Sequence, residues 1–317
     1  MRIVLAGGSG HLGQLLTRHL GQRGHQIVIL SRAGHTQPGG ISWDGRHPGP
    51  WVQALDGADA VVNLAGRSVD CCYTKTNLQQ MMGSRVDSTR AIGLAIEAAA
   101  SPPRVWLQMS TATIYAHRFD APNDEATGCI GGDELDAPTY WRTSVDIAQA
   151  WERTLDEANT PMTRRVALRT AMVMSPEPGG VFAVLRRLAR LGLGGPIAGG
   201  RQFVSWIHDR DFARAVDFLL ERDDIAGPVN LAAPEPLPQR DFMAVLRAAS
   251  GMPVGLPATA WMAELGALAL RTDTELLLKS RRVVPGRLLE AGFRFDFPDW
   301  PAAARDLLAR SRPGVAA

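Results

Sequence analysis

The stretch that decides the fold is Ala6-Gly7-Gly8-Ser9-Gly10-His11-Leu12-Gly13. Gly7, Gly10 and Gly13 form a G-x-x-G-x-x-G array. It follows the apolar run Arg2–Ala6, which reads as a buried strand, and it opens residues 11–23, where Leu12, Leu15, Leu16 and Leu20 share one helical face. A glycine array between a strand and a helix is the context that a phosphate-binding turn requires. Early glycines permit a tight turn, Gly10 lets backbone N–H groups approach a pyrophosphate, and Gly13 lets the helix pack closely on the strand. The helix N-terminus adds free N–H donors and partial positive charge. Gly7, Gly8, Ser9, Gly10, His11, Leu12 and Gly13 are therefore the expected cofactor cradle.

Outward from this turn, short apolar runs at 26–30, 41–44, 60–64, 104–109 and 165–168 alternate with helical patterns over 78–100 and 141–158. Such alternation calls for a parallel sheet with helices on both faces, and the strands are continuously apolar, as doubly covered strands are. The pattern changes near Ser175. Helical segments at 181–191, 211–221, 238–250 and 299–310 follow, separated by Pro and Gly turns, with strand-like pieces such as 228–231 between them. The expected architecture is α/β. A Rossmann doubly wound parallel sheet, the cofactor-binding domain, spans residues 1–174. A smaller C-terminal mixed α/β substrate lobe spans 175–317 and returns some segments to the sheet.

The second strand ends Ile29-Leu30-Ser31-Arg32, with no acid where NAD-preferring folds place one on the ribose 2′-OH. An acid would repel a 2′-phosphate, whereas an arginine offers it a charge-assisted fork. Ser31 and Arg32 thus point to NADP (NADPH) rather than NAD, against the plainer alternative that Arg32 is an ordinary surface arginine. Asp44 suits either an adenine contact or a turn before Gly45.

Composition narrows the class. The chain has 317 residues, 45% hydrophobic and 21% charged, with a net charge of +2, which is the balance of a globular protein and too mild for a nucleic-acid partner. The one basic cluster, Arg186, Arg187 and Arg190, lies in an apolar-periodic segment and reads as a solvated helix face. Cys71, Cys72 and Cys129 give neither a disulfide framework nor zinc spacing. Reduced thiols, no apolar leader before the glycine turn and no apolar run of about 18 residues lead to the expectation of a cytoplasmic protein with no membrane partner. No histidine pair at i,i+4 exists, so no metal site is expected.

Several further segments resemble one family. Asn63-Leu64-Ala65-Gly66 is similar to the N-x-A-G of short-chain dehydrogenases, where it borders the cofactor. Ser110-Thr111-Ala112-Thr113-Ile114-Tyr115 resembles the Ser/Thr-rich run of the extended, sugar-nucleotide-epimerase-like branch. Ser84-Arg85, Trp151-Glu152, Leu168-Arg169-Thr170 and Gly192-Leu193-Gly194-Gly195-Pro196-Ile197 narrow this to the atypical "epimerase family protein" group of the YfcH type. Gly199-Gly200-Arg201-Gln202-Phe203, Trp206-Ile207-His208, Arg282-Val283-Val284-Pro285 and the run from Arg287 to Phe293 point the same way. The resemblance covers nearly the whole chain. It departs from the family pattern at Ala171 and Ala116, where glycines are usual. It implies a parallel sheet of about seven strands, a C-terminal substrate lobe, and cofactor contacts from Leu64, Ala65, Gly66, Arg85 and Arg169. By analogy it also implies a homodimer through the helices at 78–100 and 141–158.

The superfamily's chemistry uses a tyrosine acid/base and a lysine four residues later, because a phenol near pKa 10 is a poor base at neutral pH without a cation beside it. No Tyr-x-x-x-Lys occurs in this chain: Tyr73, Tyr115 and Tyr140 are followed at that spacing by Asn77, Phe119 and Ser144. Counted back from Trp151-Glu152, the usual tyrosine and lysine positions fall near Ser144 and Ala148. Thr111 stands at the superfamily Ser/Thr position with Ser110 beside it, and both are catalytic candidates. Tyr140, a helical turn earlier, either projects into the cleft or packs at a helix start. Tyr115 is expected to line the substrate cleft. Arg201 is an anion-binding candidate for substrate, and His208 either contacts substrate or caps a helix. Asp124-Glu125 is a carboxylate site or a solvated turn. The residues leave open an NADP-dependent oxidoreductase or epimerase acting on a small, sugar-like molecule, a silent NADP(H) sensor or partner-docking protein, and a nucleotide-sugar binder without redox chemistry.

Overall fold

A computed structural model describes residues 1–32, 40–135, 137, 138, 140–262 and 275–311. Strands β1 (Arg2–Ala6), β2 (Gln26–Ser31), β3 (Gly40–Ser42), β4 (Ala60–Asn63), β5 (Val105–Thr111) and β6 (Arg164–Thr170) are followed by the short β7 (Met172–Met174), β8 (Phe203–Val204) and β9 (Trp206–His208), then by β10 (Gly227–Leu231) and β11 (Leu237–Pro238). The helices are α1 (His11–Gln22), α2 (Lys75–Glu97), α3 (Trp141–Asp156), α4 (Val181–Arg190), α5 (Asp209–Glu221), α6 (Gln239–Ala249), α7 (Glu275–Leu278), α8 (Gly286–Glu290) and α9 (Trp300–Arg310).

One seven-stranded sheet runs in the order β10-β6-β5-β4-β1-β2-β3, and every pairing in it is parallel. Successive residues of β1 serve opposite faces, as the two-residue strand period requires. Ile3 and Leu5 pack with Leu16 and Leu20 of α1 and Phe212, Val216 and Leu219 of α5. Val4 and Ala6 pack with Ala91, Ile92, Ala95 and Ile96 of α2. After β3 the chain returns to the far side of β1 to form β4, so the sheet has its topological switch point between β1 and β4, where open α/β sheets bind ligands.

Helix boundaries follow local chemistry. Helix α2 starts three residues earlier than its apolar pattern, because the Thr74 side chain accepts the Asn77 N–H and caps it. Asp299 caps α9 in the same way. Residues from β7 onward form a separate buried cluster, in which Phe242 stacks on Trp300 at 4.0 Å with Phe182 and Trp206 beside them. Residues beyond 174 also serve the parallel sheet, since β10 forms its edge and α5 packs on its face. Among the described residues no helix is long and apolar enough to cross a membrane. No group of three or more His, Cys, Asp and Glu side chains among them is gathered for a metal ion.

Candidate functional site

The glycine turn lies at the switch point. Gly7 N–H donates to Leu30 O at 2.8 Å, and Gly7 adopts φ +78°, a left-handed conformation that favours glycine. A Cβ on Gly7 would come within 2.9 Å of Ala65 N, and one on Gly13 would lie 2.5 Å from Gly8 Cα and O. The turn, the β4 end and the start of α1 therefore touch backbone to backbone. Gly10 is the N-cap of α1, and no side chain caps the helix. Ser9 and Gly10 are exposed, Leu12 is half-buried, and Gln14 Nε2 holds Ser9 O at 3.1 Å. The buried His11 Nε2 has no hydrogen-bond partner among the described residues and faces Gly180. These features make an anion cradle.

Arg32 is exposed at the end of β2, and the Ser31 Oγ beside it is buried without a partner. The Asp44 carboxylate accepts the N–H groups of His47 and Arg46 and pairs with the His47 ring at 2.6 Å. Those bonds, that from His47 N–H first, hold it down at about 2. The carboxylate is thus the hub of a turn. Leu64 N–H donates to Ala6 O, and Ala65 N–H donates to the buried Asn63 Oδ1. Gly66 lies against the Arg85 side chain.

Beyond the turn, a cleft of about 180 Å³ is lined by Thr111, Ser144, Arg85, Arg281 and Tyr73 among apolar groups. Thr111 Oγ1 also accepts the Thr113 N–H at 3.2 Å. Arg85 packs over the Trp151 ring at 5.0 Å, donates to Met81 O, and is lowered to about 10 by burial. Ser144, near where counting back from Trp151-Glu152 puts the superfamily tyrosine, donates from Oγ to the Glu275 carboxylate. Lys279 Nζ lies 3.5 Å from the other oxygen of Glu275 and donates to Thr113 O. Burial lowers the pKa values of Lys279 and Arg281. Ser144, Tyr73, Glu275, Lys279 and Arg281 were not singled out from the sequence as site residues. Their one legible signal was the position of Ser144. The Glu275–Lys279 spacing reads as any helical ion pair.

Other expected site residues are placed elsewhere. Tyr115 does not line the cleft: it is 1% exposed, and its hydroxyl donates to Asn230 Oδ1 at 2.9 Å while Arg169 donates to it at 3.0 Å. Arg169 is not turned to a cofactor, because both its ends are occupied. It forks onto Glu152 at 3.0 and 2.7 Å, and this partnership raises its pKa against the cost of burial. Ser110, 3% exposed, donates to the same Glu152 at 2.6 Å and is likewise withdrawn from the cleft. His208 has no exposed surface. Its Nδ1 accepts the Arg210 N–H as the cap of α5, its Nε2 contacts Asp306 at 3.1 Å, and its ring stacks on Phe297, so it is a core histidine rather than a substrate ligand. Tyr140 is 43% exposed at the start of α3, edge-on to Trp141 and off the cleft lining. Arg201 is exposed over the Phe119 ring at 5.8 Å, also off that lining. Glu125 is a structural carboxylate that accepts the Asn230 and Arg287 N–H groups.

A parallel sheet with a glycine-built anion cradle at its switch point defines a Rossmann dinucleotide-binding protein. Residues 3–232 match the model of the NAD dependent epimerase/dehydratase family, and residues 258–307 match a domain of unknown function. The chain belongs to the NAD dependent epimerase/dehydratase family. It is 32% identical to epimerase family protein SDR39U1 of Homo sapiens, over 98% of this chain and 100% of that one. It is 29% identical to epimerase family protein YfhF of Bacillus subtilis, over 98% of each. The crystal structure of human SDR39U1 with NADPH superposes with a TM-score of 0.85 at 30% identity, covering 98% of this chain and 99% of that one. A nucleoside-diphosphate sugar epimerase from Corynebacterium glutamicum superposes with a TM-score of 0.76 at 25% identity, covering 97% of this chain and 58% of the other.

Proposed function

We propose that the protein binds NADPH in the β1–α1 cradle and serves as an oxidoreductase or epimerase for a small polar molecule held in the adjoining cleft. The observation that carries this reading is the uncapped N-terminus of α1 behind a turn where any side chain on Gly7 or Gly13 would strike backbone. Arg32 and Ser31, at the end of β2, are the residues that would meet the ribose 2′-phosphate, and the relative solved with NADPH shares the fold over nearly its whole length. The cofactor's chemistry is donation or acceptance of a hydride. Thr111 orients the substrate oxygen from the β5 end, and Ser144 lines the same cleft. A proton leaving that oxygen passes to Ser144 Oγ while the Ser144 proton moves to Glu275, with Lys279 beside the carboxylate. This relay takes the place of the absent tyrosine and lysine.

Titration calorimetry with NADPH and NADH tests the cradle. The expected result is NADPH binding at least about tenfold tighter, a gap of about 1.4 kcal/mol, and its collapse in Arg32→Glu. Equal loss of both cofactors in that variant would remove the 2′-phosphate role of Arg32. Thr111→Ala is expected to retain NADPH affinity and lose turnover of whichever carbonyl or alcohol the wild type accepts. The missing Tyr-x-x-x-Lys favours a second reading, a silent NADP(H)-binding sensor or docking protein. That reading gains if NADPH binds and a broad carbonyl and alcohol panel yields no turnover.

A further inference from the structure

We propose that Cys71 and Cys72 are a redox modification site, where hydrogen peroxide joins the two thiols as a reversible vicinal disulfide and thereby reshapes the cleft. The proposal goes beyond the reading above and does not depend on a bound cofactor. Both cysteines are free thiols and half-buried, in the loop between β4 and α2. Val69 and Tyr73, on either side of them, line the cleft. Charge on Cys71 is felt by the Arg85 guanidinium in the same lining. The loop is basic: Asp70 is the one acid in 66–76, against Arg67 and Lys75 in that stretch and Arg85 beside it. Partly exposed thiols beside arginine and lysine at a helix start are the ones that oxidise readily, above all with a resolving cysteine next to them. Cys129 is the contrast: it is exposed, its Sγ meets Arg118 at 3.3 Å, and no second cysteine lies near it in sequence.

The chemistry balances between the pair and one peroxide. One sulfur attacks a peroxide oxygen, the O–O bond breaks, and the products are a sulfenic acid and a water. The neighbouring sulfur then attacks the sulfenic sulfur, the S–O bond breaks, and the hydroxyl leaves as a second water with the second thiol's proton. Two thiols are oxidised to one disulfide, and the peroxide is reduced to water. Consecutive Cα atoms lie about 3.8 Å apart, below the range of about 4.4–6.8 Å that ordinary disulfides span. Such a bond is strained and readily reduced by a dithiol, which suits a switch rather than a staple. Closing the ring turns the chain between Cys71 and Cys72, and both flanks of that turn are anchored. Cys71 N–H donates to Val69 O at 2.9 Å, and the Cys72 carbonyl accepts Thr74 N–H at 2.9 Å and Asn77 Nδ2 at 2.8 Å. Thr74 is the cap of α2, so oxidation pulls on the helix start and on Val69 and Tyr73 at once.

The test is peptide mass spectrometry on the full-length protein, without cofactor, after treatment with hydrogen peroxide and then N-ethylmaleimide. Trypsin cuts after Arg67 and Lys75 and places both cysteines on peptide 68–75, with Cys129 on peptide 119–142. The expected product is peptide 68–75 lighter by two hydrogens and unalkylated, returned to the doubly alkylated form when dithiothreitol precedes the maleimide. Cys71→Ser and Cys72→Ser should each remove the cross-link and leave the remaining cysteine to oxidise to sulfinic acid. Hydrogen exchange on the oxidised wild type should show the first amides of α2, Asn77 and Leu78, exchanging about fivefold faster, the loss of about one helix cap. Both readouts use the wild type, so a misfolded serine variant leaves the proposal decidable. Two alkylated thiols on peptide 68–75 after peroxide has converted Cys129 overturn it. So does sulfinic acid on Cys71 or Cys72 of the wild type with no cross-link, or a disulfide from either of them to Cys129. A vicinal disulfide that leaves the Asn77 and Leu78 amides unchanged overturns its action on the cleft.

Discussion

At the scale of the residue, two substitutions separate the cradle from the framework behind it. A Cβ on Gly13 would lie 2.5 Å from the Gly8 backbone, with no flexible side chain to yield. Gly13→Ala should therefore cost about 1–3 kcal/mol, the usual range for overpacking a tight contact, in urea unfolding. It should also weaken NADPH by more than about tenfold, because the turn must open to admit the methyl. A variant with wild-type stability and affinity would mean that the turn has slack the geometry denies. Tyr115→Phe makes the opposite case. The hydroxyl lies between Arg169 and Asn230, so its removal leaves buried polar groups unpaired, at a cost of about 1–3 kcal/mol. The residue is off the cleft lining, so NADPH affinity and any turnover should hold. Lost activity with unchanged stability would return Tyr115 to the site.

At the scale of the element, the start of α5 carries a pH dependence. His208 is held neutral, its pKa lowered to about 3 by burial first and then by Arg310, with Arg210 adding to this and Asp306 opposing it. An unfolded histidine titrates near 6.5, so between about pH 6.5 and 3 the unfolded chain takes up a proton that the native one refuses. His208 therefore costs stability as pH falls through that window, by up to about 1.4 kcal/mol per pH unit. Asp209, raised to about 6 by burial, works in the opposite sense above its unfolded value near 4 and masks part of the slope. The comparison that isolates the histidine is His208→Asn against wild type in urea melts. The variant's penalty at pH 7.5 should shrink steadily at pH 6 and pH 5. A penalty independent of pH would mean that His208 titrates normally. This helix start also shows where sequence reasoning stops. Local signals, the β1–α1 turn and the Thr74 and Asp299 caps, are written within a few adjacent residues. The role of His208 depends on Asp306 and Phe297, and the role of Tyr115 on Arg169 and Asn230. Such pairings join residues far apart in the chain, and no short pattern records them. The Ser144–Glu275 contact was illegible for the same reason, although Ser144 itself stood at a marked position.

At the scale of the whole molecule, the sheet cannot be cut where the sequence pattern changes. The alternation of strands and helices ends near Ser175, yet β10 covers the outer edge of β6 in register from Val166 to Thr170. Helix α5 brings Phe212, Val216, Leu219 and Leu220, all fully buried, into the core beside α1. A fragment ending at residue 174 would bare these neighbours and leave β6 as an unprotected edge, the configuration that invites aggregation. It would also lose Leu288 and Phe293, which close the same core from beyond α5. Expressed alone, residues 1–174 should show no cooperative thermal transition and should elute as aggregates in size-exclusion chromatography, despite carrying the entire glycine cradle. A monomeric fragment that melts cooperatively and binds NADPH would show the first half to be an independent domain. The interleaving bears on function as well as stability. The chain that returns to the sheet as β10 continues to Arg281 in the cleft lining, so completing the Rossmann core and walling the cleft are done by one stretch of polypeptide, and loss of one function should carry the other with it.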